Sequence, residues 1–84
     1  MKIYDYEGKK NICGERVHEA RRKLKLTQSD LAARLQLAGI LIERDSISRI
    51  EIGTRFVSDY EIREIARILK VSVLWLLDIE EPKG

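Results

Sequence analysis

The chain has 84 residues, 44% hydrophobic and 36% charged, with 16 Lys and Arg against 14 Asp and Glu for a net charge of +2. That length suits one domain, and this balance excludes an intrinsically disordered chain. The most apolar stretch, residues 37–42, is far short of the ~18 residues that span a bilayer, and residues 1–14 contain no apolar core of a signal peptide.

In chain order, Ile3, Tyr4 and Tyr6 alternate in part, and residues 1–10 read as an extended arm. Asn11 is the expected N-cap of a first helix over about residues 12–24, where Val17, Ala20 and Leu24 recur at helical spacing between basic residues. Thr27 and Asp30 form a variant capping box for a second helix with Leu31, Leu35 and Ala38 inward. Gly39 is placed to end it in the left-handed conformation. After a connector at residues 40–43, a third helix runs from about Arg44 to Ile52 and stops at Gly53. Ile47 and Ile50 face its core side. Ser58 and Glu61 make a complete capping box for a fourth helix that buries Ile62, Ile65, Ala66 and Leu69. Ser72 caps a last short helix carrying Val73, Trp75, Leu76 and Leu77, before a frayed tail at residues 79–84 with Pro82. The expectation is an all-α chain, a compact five-helix bundle in a single domain over residues 1–84, with its core at about 12–77.

Charge is unevenly placed. Residues 9–25 hold a local +5, from Lys9, Lys10, Arg16, Arg21, Arg22, Lys23 and Lys25 against Glu15 and Glu19, while residues 56–84 hold a local −2. This asymmetry suits one face turned toward a polyanion; from charge alone, a solvated basic helix face reads equally well. The lone Cys13 cannot form an internal disulfide and fits a reducing cytoplasm. His18 has no His, Cys or carboxylate partners at ligand spacing, so an exposed histidine is expected and no metal site. No catalytic constellation is evident, so neither enzyme activity nor a cofactor is expected.

Residues 26–35, reading LTQSDLAARL, are followed by ISRIEIG at 47–53. Together with Arg16, Val17 and Arg21 upstream, and Ile65, Ala66, Leu69, residues 71–73 and Trp75 downstream, this pattern resembles the lambda-repressor/Cro-like (XRE) helix-turn-helix family, in particular its phage 434-type repressor domains. The resemblance implies five helices of which the third reads DNA. It also implies a sequence-specific transcriptional regulator, a repressor, that binds double-stranded DNA as a homodimer on a palindromic operator. A cytoplasmic, nucleoid-associated protein of bacterial or phage type follows, with no membrane partner. Two features depart from the family: an extended turn between helices 2 and 3, and Ile52 where Asn commonly precedes the glycine.

On this resemblance Arg44, Asp45, Ser48 and Arg49 are candidates for base edges. Arg44 and Arg49 can fork onto guanine, or else contact phosphate or solvent. Asp45 is open to two roles, accepting from cytosine N4 or capping the helix. Gln28, beside Thr27 at the second helix's N-terminus, is expected to clamp a phosphate. Thr54 and Arg55 are expected to track the DNA backbone, with Lys23 and Lys25 adding attraction. Arg21 and Glu51 are expected to form a buried structural salt bridge. Trp75 and Leu76 are either core or a dimer contact. Residues 40–42 either fold back on the core or offer a surface to an unidentified protein partner, the function left to an adaptor that keeps this fold without reading DNA.

Overall fold

A computed structural model describes residues 6–79. Residues 1–5, most of the expected arm, and residues 80–84 of the expected tail lie outside the described residues. Five helices follow in order: α1 (Gly14–Lys23), α2 (Gln28–Leu37), α3 (Arg44–Ile52), α4 (Asp59–Leu69) and α5 (Val73–Leu76). No strand occurs among the described residues; Tyr6 and Lys9 make one isolated antiparallel bridge across a tight turn at Glu7 and Gly8. The all-helical bundle expected from the periodicity is the fold observed.

The helices start where their caps dictate. Thr27 Oγ1 accepts from the Asp30 N–H at 3.0 Å while the Asp30 carboxylate accepts from the Thr27 N–H at 2.9 Å. Ser58 and Glu61 reciprocate in the same way at α4, and the Ser72 hydroxyl accepts from the Trp75 N–H at α5. Each such cap is worth about 1 kcal/mol. At α1 the N-cap position is Cys13, not Asn11. Asn11 still does the capping: its Oδ1 accepts from the N–H groups of Cys13 and Gly14 at 3.1 and 2.9 Å. Its Nδ2 donates to the carbonyls of Ile50 and Arg55, so one side chain ties the start of α1 to the end of α3.

Among the described residues, all five helices end alike. A left-handed residue follows each: Lys25, Gly39, Gly53, Lys70 and Asp78, with φ from 57° to 96°. The next N–H then returns to a carbonyl five residues back, as in Leu26 to Arg21, Ile40 to Leu35 and Val71 to Ala66. This Schellman closure satisfies terminal carbonyls that would otherwise be orphaned. It also turns the chain sharply, which is why Leu24 and Ala38, expected inward, are exposed: each sits in the closing turn, beyond its helix's last residue.

The core draws Val17 and Ala20 from α1, Leu31 and Leu35 from α2, Ile47 and Ile50 from α3, Ile65 and Leu69 from α4, and Leu76 from α5. Burying each Leu or Ile contributes about 1.5–3 kcal/mol. The helix 2–3 connector adds to it. Its side chains alternate, with Ile42 buried, Ile40 half-buried and Leu41 exposed. Gln36 Nε2 fixes the segment by donating to the Ile42 carbonyl at 2.7 Å. Cys13 is part of this core, and burial pushes its thiol up to about 11, against a smaller lowering by a backbone hydrogen bond.

Helix α3 packs on α1 and α2, and α4 packs on α1, α2 and α5. The α1–α3 approach is close enough to require glycine. A Cβ on Gly14 would stand 2.3 Å from the Ile50 carbonyl oxygen and 2.9 Å from that of Glu51. One side of α3 is thereby fixed against the bundle and the other is left open.

Candidate nucleic-acid interface

At 100° per residue, Ile47, Ile50 and Glu51 fall on the inner side of α3 and Asp45, Ser48, Arg49 and Ile52 on the outer, while Arg44, three residues before Ile47, stands at the edge between the two, in the helix's first turn. The burial agrees: Ile47 and Ile50 are fully enclosed, Arg44, Asp45, Arg49 and Ile52 are exposed and Ser48 is half-buried. Three of the base-edge candidates, Asp45, Ser48 and Arg49, therefore share one open helix face, and Arg44 is exposed at its edge. Arg44 Nη1 donates to the Asp45 carboxylate at 3.3 Å, an exposed pair that water and DNA compete for readily. The N-cap of α3 is Glu43, not Asp45, and it makes no side-chain cap bond. Asp45 stands one residue inside the first helical residue, where its charge suits the helix dipole.

Behind this face lies a polar cluster that joins three helices. Arg21 donates to Glu51 from Nε at 2.7 Å and from Nη2 at 2.9 Å, and from Nη1 to the Leu26 carbonyl at 2.8 Å. Both side chains are buried. His18 Nδ1 lies 2.9 Å from Glu51 Oε1, and Gln28 Nε2 donates to the same oxygen at 3.1 Å. Burial pushes the Glu51 carboxyl up, but the hydrogen bonds from Arg21, His18 and Gln28 and the Arg21 charge together outweigh it and hold it below the usual carboxylate range. Glu51 thus fixes the rotation of α3 about its axis by gripping α1 and α2. The sequence offered the Arg21–Glu51 pair through resemblance. It gave no signal for His18 and Gln28, because their spacing to Glu51 is a matter of helix packing.

A basic groove adjoins the open face. Arg21, Arg22, Lys25, Leu26, Thr27, Gln28, Ser29 and Arg44 line it, where the end of α1, the start of α2 and the start of α3 converge. The first N–H groups of α2, beyond the reach of intrahelical carbonyls, open there and carry the positive end of its dipole. Arg22 and Ser29 are new to the candidate set. Residue type alone did not separate Arg22 from its basic neighbours, and only the convergence of three helices selects it.

Three expected site residues are placed differently by the structure. Lys23 points away from the groove: it lines a cleft with Leu69, Lys70, Val71 and Trp75, and pairs with Glu19 at 3.7 Å. Two turns along α1, a step of one residue rotates a side chain by 100°, which separates Lys23 from Arg22. Arg55 spends its guanidinium inside the protein, forking onto Glu61 with two 3.0 Å bonds and onto the Phe56 carbonyl at 2.8 Å. Burial pushes the Glu61 carboxyl up, and the Arg55 and Ser58 hydrogen bonds overcome this to leave it lowered. Arg55 therefore pins the α4 cap, and its charge is already neutralised. Leu76 is wholly enclosed in the core at 0% exposure and leaves no surface for a dimer contact. Trp75 is half-buried, with the Arg16 guanidinium stacked 4.6 Å from its ring centre, and Arg16 also reaches the Trp75 carbonyl and Asp78. Thr54 is exposed at the end of α3, its hydroxyl 3.5 Å from the Arg49 carbonyl.

A buffered first helix, a capped second helix whose N-terminus opens beside the third, and a third with one face in solvent define the helix-turn-helix class of DNA-binding domain. The sequence pattern of the family described as helix-turn-helix domain matches residues 13–74, from the N-cap of α1 into the first residues of α5. The chain belongs to that family, and its five-helix order is consistent with the XRE-like resemblance. Among curated proteins none matches the chain. No helix among the described residues is long and apolar enough to cross a membrane.

Proposed function

We propose that this helix-turn-helix protein is a sequence-specific transcriptional regulator, a repressor, that lays α3 in the major groove of a palindromic operator. The observation that carries the reading is the open face of α3 set beside the basic groove at the start of α2. A major groove admits one helix. Arg49 and Arg44 then meet base edges and can fork onto guanine, while Ser48 allows close approach and Asp45 accepts from cytosine. Arg22, Lys25, Thr27, Ser29 and the α2 N–H groups take the flanking phosphate. Gln28, held on Glu51, keeps a second N–H for that phosphate. Thr54 follows the backbone at the other end of α3.

Two copies acting as single domains on one palindrome place their α3 helices about one DNA turn apart. The dimer contact is carried by Trp75 together with Leu74, exposed beside it on α5. Such a regulator works in the cytoplasm, on the nucleoid, by excluding other proteins from the operator.

Selection from a random DNA pool, followed by salt titration on the winning and scrambled sequences, tests this. The expected result is a palindromic consensus bound at least about a thousandfold more tightly than scrambled DNA. Arg49→Ala should relax one base position at a cost of about 1–3 kcal/mol. Lys25→Ala should weaken all sequences alike and reduce the salt slope by about 0.9. Equal weak binding to every sequence, lost by physiological salt, would overturn the proposal.

A further inference from the structure

One surface takes no part in the DNA reading. Leu37, at the end of α2, is 90% exposed, and Leu41, on the connector, is 93% exposed. Between α2 and α4 runs an open groove lined by Arg34, Leu37, Ala38, Arg67, Ile68 and Lys70. Its floor is apolar and its rim is basic. Arg67 is paired with Glu64 at 2.8 Å, but among the described residues neither Arg34 nor Lys70 forms a salt bridge. The groove lies at the C-terminal end of α2, about 15 Å along that helix from the phosphate site at its start.

Single exposed apolar side chains are ordinary, but an almost fully exposed leucine lining a groove with a half-buried isoleucine, and a second such leucine four residues along the chain, are not. Gly39 and the Schellman closure present Leu37, and the alternation that buries Ile40 and Ile42 throws Leu41 outward. Both leucines are held in place by well-formed backbone, not by a loose loop. A DNA backbone gives leucine nothing to bury against. A second copy of this chain would set one basic rim against another across an isologous contact.

We infer that this groove docks an acidic, leucine-rich or aromatic segment of another protein, its apolar side chains covering Leu37, Leu41 and Ile68 and its carboxylates meeting Arg34 and Lys70. The segment binds the opposite end of α2 from the DNA, so both can be held at once. Charge complementarity sets the sign of the partner, and apolar anchors at the centre of the contact supply most of the affinity.

Selection of a displayed random-peptide library on the full chain tests it, with the recovered peptides synthesised and titrated into isotopically labelled protein. The expected consensus combines Asp or Glu with Leu, Ile or Phe, and shifts the amides of Leu37, Leu41 and Ile68. Leu37→Ser and Leu41→Ser, safe for folding at such exposed sites, should each weaken binding at least ~10-fold. Lys70→Glu should weaken it and remove its salt dependence. All three variants should keep wild-type DNA affinity, which separates this inference from the DNA reading. A consensus without acids, binding indifferent to these variants, or shifts confined to α3 would overturn it. So would a wild-type dimer that Leu37→Ser converts to a monomer, since that assigns the groove to a second copy.

Discussion

Replacing Gly14 by alanine probes the contact that aligns the reading helix. In an ordinary helix the change is favourable, since alanine exceeds glycine in helix propensity by about 1 kcal/mol. Here the new Cβ would meet the Ile50 carbonyl oxygen at 2.3 Å and the Glu51 carbonyl oxygen at 2.9 Å. Both are backbone atoms, so neither can swing aside as a flexible side chain would. Relief to ordinary contact near 3.3 Å requires α1 and α3 to part by about 1 Å. Overpacking of this kind costs about 1–3 kcal/mol, and the same shift strains the Asn11 bonds to Gly14 and Ile50. The expected net loss is up to about 2 kcal/mol after the propensity gain, against the ~4–12 kcal/mol available to a domain of this size. Urea unfolding followed by circular dichroism should show the midpoint falling, by up to about 2 M, with an unchanged slope of about 1 kcal/mol per M. Operator affinity, measured well below that midpoint, should fall as well, because Ile50 and Glu51 belong to the helix that carries Arg49. A midpoint about 1 M above wild type would refute the close α1–α3 approach, since the propensity term would then stand unopposed.

Glu51→Gln should destabilise the chain by about 3–5 kcal/mol, because it leaves the buried Arg21 charge uncompensated. Adding Arg21→Met should recover part of that loss in a double-mutant cycle; strict additivity would show that the two do not interact. Acid should unfold the protein through Glu51 and Glu61, both held below the usual carboxylate range. Groups lowered in the folded state contribute stability that is fully present above the ordinary glutamate pKa and lost as pH falls through the folded value. Denaturation across that interval should therefore show stability declining with acid, and Glu61→Gln should flatten the decline. Lys70 occupies a left-handed helix closure with φ 60°, so Lys70→Gly should raise stability by about 0.5–1 kcal/mol in thermal or urea unfolding. A loss instead would mean that the Lys70 side chain packs usefully where it stands.

Much of the fold was legible because its signals are local. Thr27 with Asp30, Ser58 with Glu61, and Ser72 announce helix starts through bonds within four residues, and Gly39 and Gly53 announce ends through a backbone only glycine adopts freely. Three- and four-residue spacing identified Ile47, Ile50, Ile65 and Leu69 as interior, and by exclusion identified the outer side of α3. What the sequence could not carry was the relation between helices. Asn11 bridging α1 to Ile50 and Arg55, Gln28 and His18 converging on Glu51, and Arg55 turning inward to Glu61 all depend on how helices stack, not on spacing along one of them. The same holds for the basic residues, which are alike in composition until packing sorts them. Arg22 and Lys25 face the groove at the start of α2, Lys23 turns toward α4, and Arg16 stacks on Trp75. Leu76 and Leu37 make the point in apolar form. Both are leucines at helix ends, yet tertiary packing encloses one completely and leaves the other in solvent, since burial belongs to the neighbours a residue meets and not to the residue itself.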